Sequence, residues 1–194
     1  TRSRDEAAVV AEEERRTMVW FADLLRSEGI PVRGVSVGST PAMAAARDLT
    51  GVTEARPGNY VFFDRTMVLI GCCEPTDVGV TVLATVGSHQ PGAVHFVVDA
   101  GALALSKDAG PAHLPDAAAM GAVRDHPDLV VASLSQEHGV IRADDAAVLA
   151  GRFPVGSPIE IVPNHSCLTV AHFDEYVVMR GGDVVDRWPI ARGR

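Results

Sequence analysis

The sequence predicts a chain in two parts, an α/β segment followed by an all-β domain, and three observations carry that expectation. Apolar residues recur at helical spacing between Arg4 and Ser27, strand-like runs at Val32 to Val37 and Val52 to Ala55 flank an Ala-rich segment, and from about Thr76 apolar and polar residues alternate. A period near 3.6 belongs to a helix and a period of 2 to a half-buried strand. The change of period puts the boundary near Thr76, giving parts 1–75 and 76–194.

In chain order, Met18, Phe21, Leu24 and Leu25 form the apolar stripe of the opening helix, and Gly29 and Pro31 end it. Val32 to Val37 is a short buried strand. Gly38-Ser39-Thr40-Pro41 then turns into a helix expected over Ala42 to Leu49, with Thr40 as cap and Pro41 in its first turn. A helix N-terminus offers free N–H groups and the positive end of the dipole, so this turn suits a phosphate, although an ordinary capped turn has the same composition. Val52 to Ala55 is the next strand, followed at once by Arg56-Pro57-Gly58-Asn59, and Tyr60 lines a pocket or simply packs.

In the second part, Val78, Val80, Val82, Ala84 and Val86 share one strand face, and Gly87 to Gly92 turns into the strand Ala93 to Val98. Asp99 reads as a turn residue. Further strands are expected at Leu129 to Leu134, His138 to Arg142, Ile159 to Val162, His165 to Val170, and the pair Tyr176 to Arg180 and Asp183 to Trp188 about Gly181-Gly182. Asp116 to His126 and Asp144 to Leu149 are each a loop or a short helix.

The chain has 194 residues, 47% hydrophobic and 22% charged, which is globular composition. A formal net charge of -8 and the lack of any basic run argue against a nucleic-acid surface. No run approaches the ~18 to 20 apolar residues of a membrane span, and the polar start Thr1 to Glu6 has no signal-peptide core, so the cytoplasm is the expected location. Three cysteines, with Cys72 and Cys73 adjacent, suggest no disulfide framework.

Chemistry concentrates in Pro163-Asn164-His165-Ser166-Cys167-Leu168-Thr169. On a strand, His165 and Cys167 point the same way with about 7 Å between their Cα atoms, so an imidazole and a thiolate can grip one ion. The mixed nitrogen and sulfur pair favours zinc over magnesium or calcium, and two ligands leave positions open for substrate, although a half-buried His beside an inert Cys has the same local pattern. Glu137 and His138 are either partners that orient these ligands or a buried hydrogen-bonded pair, and His172, of opposite strand parity, stays outside the metal site.

From Gly38-Ser39-Thr40-Pro41, through Glu54 to Phe62, Val98-Asp99-Ala100-Gly101 and Ser135-Gln136-Glu137-His138-Gly139, to Pro163–Cys167, the chain resembles the D-serine dehydratase and D-threonine aldolase family. These are fold-type III enzymes that use pyridoxal 5'-phosphate, and the resemblance runs from about Val32 to Arg194. It implies that 1–75 is the closing part of a (β/α)8 barrel, that the opening helix covers that barrel, and that 76–194 is a C-terminal antiparallel β-domain with the metal site. It assigns Gly38, Ser39 and Thr40 to the cofactor phosphate. Arg56-Pro57-Gly58 is similar to the Arg-Pro-Gly turn of alanine racemases, which gives Arg56 the pyridine nitrogen and Gly58 and Asn59 further phosphate contacts.

The family's Schiff-base lysine lies early in the first barrel strand, whereas the single lysine here, Lys107, falls in the second part and reads as solvated or as a partner of Asp108. With no initiator methionine and only two barrel strands of eight, the chain is expected to be the C-terminal part of a longer enzyme that pairs as a homodimer. The reaction implied is dehydration of D-serine to pyruvate and ammonia, with a lysine removing the α-proton and zinc binding the departing hydroxyl. Related aldolases have an aspartate as second metal ligand, so Cys167 favours the dehydratase branch, including dehydratases of D-threo-3-hydroxyaspartate. D-threonine aldolase and a non-catalytic zinc-binding module are the alternatives.

Overall fold

In the computed structural model, residues 1–114 and 118–192 are described. The chain divides into two compact units, Thr1–Gly79 and Val80–Arg194. The first opens with helix α1 (Arg4–Ser27), started by Ser3, whose side chain accepts from the Glu6 N–H, with Asp5 and Glu6 at the positive end of the dipole. The predicted helix is there, but its buried face is different. Ala7, Ala11 and Ala22 are buried, whereas Met18, Phe21 and Leu24 are exposed. Small side chains let the helix backbone approach its neighbours closely, and Ala22 joins Val35 and Val37 in a small core with Val19, Val32, Met43 and Val52 against it.

The strands expected over Val32 to Val37 and Val52 to Ala55 are reduced to the pairs β1 (Ser36–Val37) and β2 (Glu54–Ala55), which lie parallel with Ser36 opposite Glu54 and Val37 opposite Ala55. Between them is α2 (Thr40–Ala45), shorter than the expected Ala42 to Leu49. Its cap is Ser39 rather than Thr40: Ser39 Oγ accepts from the Ala42 N–H at 3.5 Å. A third helix, α3 (Arg65–Leu69), follows, capped by Asp64, whose side chain accepts from the Met67 N–H at 3.0 Å.

The second unit is a closed barrel of six antiparallel strands in the order β3-β4-β7-β6-β5-β8. These are β3 (Val82–His89), β4 (His95–Val98), β5 (Gly121–Val123), β6 (His126–Leu134), β7 (Gly139–Arg142) and β8 (Pro158–Pro163). Alternation holds on β3 from Val82 on, where Val82, Ala84 and Val86 point inward and Leu83 and Thr85 outward, whereas Val78 and Val80, expected on the same face, precede the strand. They meet Phe96, Val98, Leu129, Val131, Ile141, Ile159 and Ile161 in one core. Closure pairs each strand on both sides, so no edge is left open.

Short helices plug the connections: α4 (Ala102–Leu105) after β4, and α5 (Ala146–Leu149) within the stretch expected to be loop or helix. Leu105 and Leu149 are both buried in the barrel core. The segment Asp116 to His126 becomes strand from Gly121, and Asp116 and Ala117 lie outside the described residues, as do Gly193 and Arg194. The expected strand His165 to Val170 is instead a helix, α6 (Ser166–Val170). The final hairpin, β9 (Glu175–Arg180) and β10 (Asp183–Pro189), turns at Gly181 and Gly182, whose φ angles of 60° and 94° glycine adopts without strain. Among the described residues no helix is long and apolar enough to cross a membrane.

Candidate functional site

Two groups of sequence-predicted residues take shape, one in each unit. In the first unit, the parallel strands β1 and β2 deliver the turns Gly38-Ser39-Thr40 and Arg56 to Asn59 at their C-terminal ends, the side of a parallel sheet where ligands bind. Thr40 joins the two turns, because its buried hydroxyl accepts from the Asn59 N–H at 3.0 Å. The Asn59 side chain in turn donates to Asp64. Gly38, with φ 110°, occupies backbone space that a side chain strains, and a Cβ there would meet the Met43 side chain at 3.0 to 3.1 Å.

Several of these groups already have partners. The Gly38 N–H donates to Glu14 Oε1 at 3.0 Å, so this amide is shared with a carboxylate from α1. The Asn59 N–H is the one used by Thr40. Ser39 and Gly58 are exposed. The Arg56 guanidinium donates to Ser36 Oγ across the strand pair, and Ser36 Oγ donates to Glu54. Tyr60 is exposed and so lies outside the core of this unit.

In the second unit, the strand argument for His165 and Cys167 does not hold. β8 ends at Pro163, His165 is the N-cap of α6 with extended backbone (φ -140°, ψ 102°), and Cys167 is the second helical residue. The two side chains are set by a strand-to-helix turn and not by pleat alternation. That turn is anchored from behind. Asn164 is 1% exposed, and its amide donates to Asp108 O at 2.9 Å and to Ala119 O at 2.5 Å. Thr169 Oγ1, also buried, donates to Leu105 O at 3.1 Å and ties α6 to the end of α4.

The front of the turn carries the reactive groups. His165 Nδ1 lies 3.1 Å from Asp108 Oδ2, and Cys167 is exposed. Burial, and after it the influence of Cys167, raises the Tyr176 phenol of β9 above its usual range. Asp108 and Tyr176 are invisible from sequence because no local spacing relates them to His165 or Cys167, whereas Asn164 lies inside the motif and carries no sign of its role, which depends on carbonyls 45 and 56 residues away. Glu137 and His138 are exposed, and their hydrogen bonds stay inside the Ser135 to His138 turn. His172 is exposed beyond α6, and Lys107 is exposed beside Asp108 without taking its carboxylate.

The donor chemistry suits zinc. An imidazole whose Nδ1 is engaged presents Nε2, the thiol is accessible, and two protein donors leave positions open. Among the described residues, no group of three or more His, Cys, Asp or Glu side chains is arranged to hold a metal, so a closed structural site is not built here.

Residues 79–179 match the family model described as "Putative serine dehydratase domain". The chain belongs to this family. It is 44% identical to the D-threo-3-hydroxyaspartate dehydratase of Delftia sp. (strain HT23), over 95% of this chain and 50% of that one. It is 38% identical to a D-serine dehydratase of Dictyostelium discoideum, over 91% of this chain and 47% of the relative. A D-threonine aldolase of Arthrobacter sp. is 32% identical, over 99% and 48%. The chain thus spans about half the length of these relatives.

Solved structures agree. The Delftia dehydratase superposes with a TM-score of 0.88 at 42% identity, over 99% of this chain and 53% of that one. The same enzyme has been solved as a histidine-to-alanine variant, and as a cysteine-to-alanine variant described as metal-free.

Cys72 and Cys73 have no part in this site. Burial raises the Cys72 thiol, and burial, followed by the Asp77 and Asp64 carboxylates, pushes Cys73 up to about 11. At about pH 8 only about one Cys73 in a thousand is therefore thiolate. In the presence of a chelator, one equivalent of iodoacetamide at that pH is expected to label Cys167 first, as read by peptide mass spectrometry. Equal early labelling of Cys73 would contradict this order.

Proposed function

We propose that the protein carrying this chain is a lyase of D-3-hydroxy amino acids that uses pyridoxal 5'-phosphate and zinc. D-serine dehydration to pyruvate and ammonia is its proposed reaction. The observation that carries the reading is the His165-Ser166-Cys167 turn, with His165 tied through Nδ1 to Asp108 and Cys167 exposed two residues on. The histidine and cysteine replaced in the two dehydratase variants also lie two residues apart, and loss of that cysteine accompanies a metal-free form of that enzyme.

When bound, pyridoxal phosphate supplies an electron sink for the α-carbon and zinc supplies a Lewis acid for the β-hydroxyl. His165 Nε2 and the Cys167 sulfur would hold the metal. In the first unit, Gly38, Ser39, Thr40, Gly58 and Asn59 would hold the phosphate, and the Thr40–Asn59 hydrogen bond keeps their two turns in register. Arg56, braced by Ser36, would face the pyridine nitrogen as a cation that disfavours its protonation. Lys107 sits in the β unit, exposed, and is not the proposed proton acceptor. The proposed proton acceptor is a Schiff-base lysine in the half of the relatives' length that this chain does not span, and a homodimer is the proposed assembly.

The reading is tested by offering D-serine, D-threo-3-hydroxyaspartate and D-threonine to the protein expressed from its full coding sequence. Ammonia with pyruvate from the first, or with oxaloacetate from the second, is expected, lost with a chelator and restored by zinc. The 44% identity to the Delftia enzyme is what favours the second substrate. Glycine and acetaldehyde from D-threonine as the main products would replace dehydration with the aldolase reading. No turnover of any of the three would favour a non-catalytic module.

A further inference from the structure

We infer that Asp108 is the positioning residue of the metal site: its carboxylate holds the Nδ1–H of His165 and so fixes Nε2 as the metal-binding nitrogen. The inference rests on the proposed metal role of His165 and Cys167.

The geometry is built for this purpose from several directions. Asp108 Oδ2 lies 3.1 Å from His165 Nδ1, while Oδ1 accepts from the Gly110 N–H at 2.7 Å, so the carboxylate cannot rotate freely. The backbone carbonyl of Asp108 accepts from Asn164, the residue before His165, at 2.9 Å. Carboxylate and imidazole are thus clamped to one buried amide. Gly110 completes the loop with φ 71°, and a Cβ there would meet Asn164 Nδ2 at 3.1 Å.

A neutral imidazole carries its proton on either nitrogen, and only the unprotonated one binds a metal. An acceptor at Nδ1 selects the form with a lone pair on Nε2 and raises its basicity. Charge points the same way. A zinc ion with one thiolate carries a net positive charge, which the Asp108 carboxylate balances. The side chains of His165 and Asp108 are 42% and 28% exposed, leaving His165 accessible while the pair is partly withdrawn from water.

The test uses the protein expressed from its full coding sequence, with Asp108→Ala and Asp108→Asn. Zinc affinity is measured by competition with a chromophoric chelator, and the His165 tautomer by nitrogen-15 NMR of the metal-free protein at about pH 8.5, above the ordinary histidine range. Wild type is expected to show the Nδ1–H form. D108A should shift the ring toward Nε2–H and weaken zinc binding about 10- to 100-fold. D108N, which keeps an acceptor oxygen but loses the charge, should keep the tautomer with intermediate affinity, and it stands in if D108A does not fold. Unchanged affinity and tautomer in both variants would overturn the inference. Wild type that binds no zinc while its tautomer depends on Asp108 would instead overturn the metal reading, and with it the positioning role.

Discussion

Cys167→Ala is expected to abolish both zinc binding and D-serine turnover while the cofactor's visible absorbance persists. Cys167 is exposed, so its truncation removes little packing and should change stability by no more than about 0.5 kcal/mol. If His165 and Cys167 are the metal's protein donors, as proposed, this loss leaves His165 alone, which is too little to retain a metal against a chelator. A Lewis acid at a departing hydroxyl is worth several kcal/mol, and about 4 kcal/mol corresponds to a thousandfold in rate. The expected loss in kcat is therefore about a thousandfold or more. Ser39, Thr40 and Gly58 lie in the other unit, so absorbance near the usual pyridoxal band should stay at wild-type intensity. D-serine turnover persisting after metal analysis shows zinc to be gone would refute a metal-assisted mechanism.

Gly101→Ala is expected to give the largest loss of stability of any single methyl addition in the β-barrel unit. A Cβ at Gly101 would lie 2.3 Å from Gln136 O, 2.5 Å from Glu137 C and 2.5 Å from His138 N, all backbone atoms. Nothing there is the flexible end of a side chain. The reverse approach is equally tight, since a Cβ at Gly139 would meet Ala100 O at 2.6 Å. The turns 99–101 and 135–139 therefore interlock, joined by the Ala102 N–H to Ser135 O at 2.9 Å and the Leu103 N–H to Gln136 O at 3.1 Å. Overpacking costs typically 1–3 kcal/mol, and two facing backbones put this case at about 3 kcal/mol or beyond. Gly92→Ala is the control, because its φ of 77° costs an L-residue roughly 1–2 kcal/mol while no atom lies within 4 Å of the added Cβ. Denaturant midpoints of the two variants decide the matter. A Gly101 variant no less stable than the Gly92 variant would show that the turns move apart easily.

The same interlocked turns account for two motifs of the sequence. Local pattern relates Val98-Asp99-Ala100-Gly101 to a turn and singles out Glu137 and His138 in Ser135-Gln136-Glu137-His138-Gly139, but it does not relate the two motifs to each other. Asp99, expected as a turn residue, instead bonds across to β3: its carboxylate accepts from the Thr85 N–H at 2.6 Å, and its own N–H donates to Thr85 O at 3.1 Å. For the second motif, the glycine and the backbone carbonyls matter, because they form the surface against which Gly101 fits.

The sequence by itself determined whatever repeats at short range. Alternation placed the inward residues of β3, the helical period placed α1, and the paired glycines placed the final hairpin, because each signal lies within about ten residues. It also supplied the phosphate-turn candidates and the His-x-Cys spacing. Tertiary structure decided which face of α1 is buried, since close approach selects Ala7, Ala11 and Ala22 over the larger apolar residues nearby. It also decided the conformation around the metal pair. Val170, Thr169 and Cys167 suit a strand, and five residues are too few for a helical period to register. Side chain to backbone bonds from Asn164 and Thr169, reaching 45 to 64 residues along the chain, set the turn and helix instead. Asp108 meets His165 across 57 residues for the same reason: a hydrogen bond needs proximity in space, and only the closed barrel brings those two loops together.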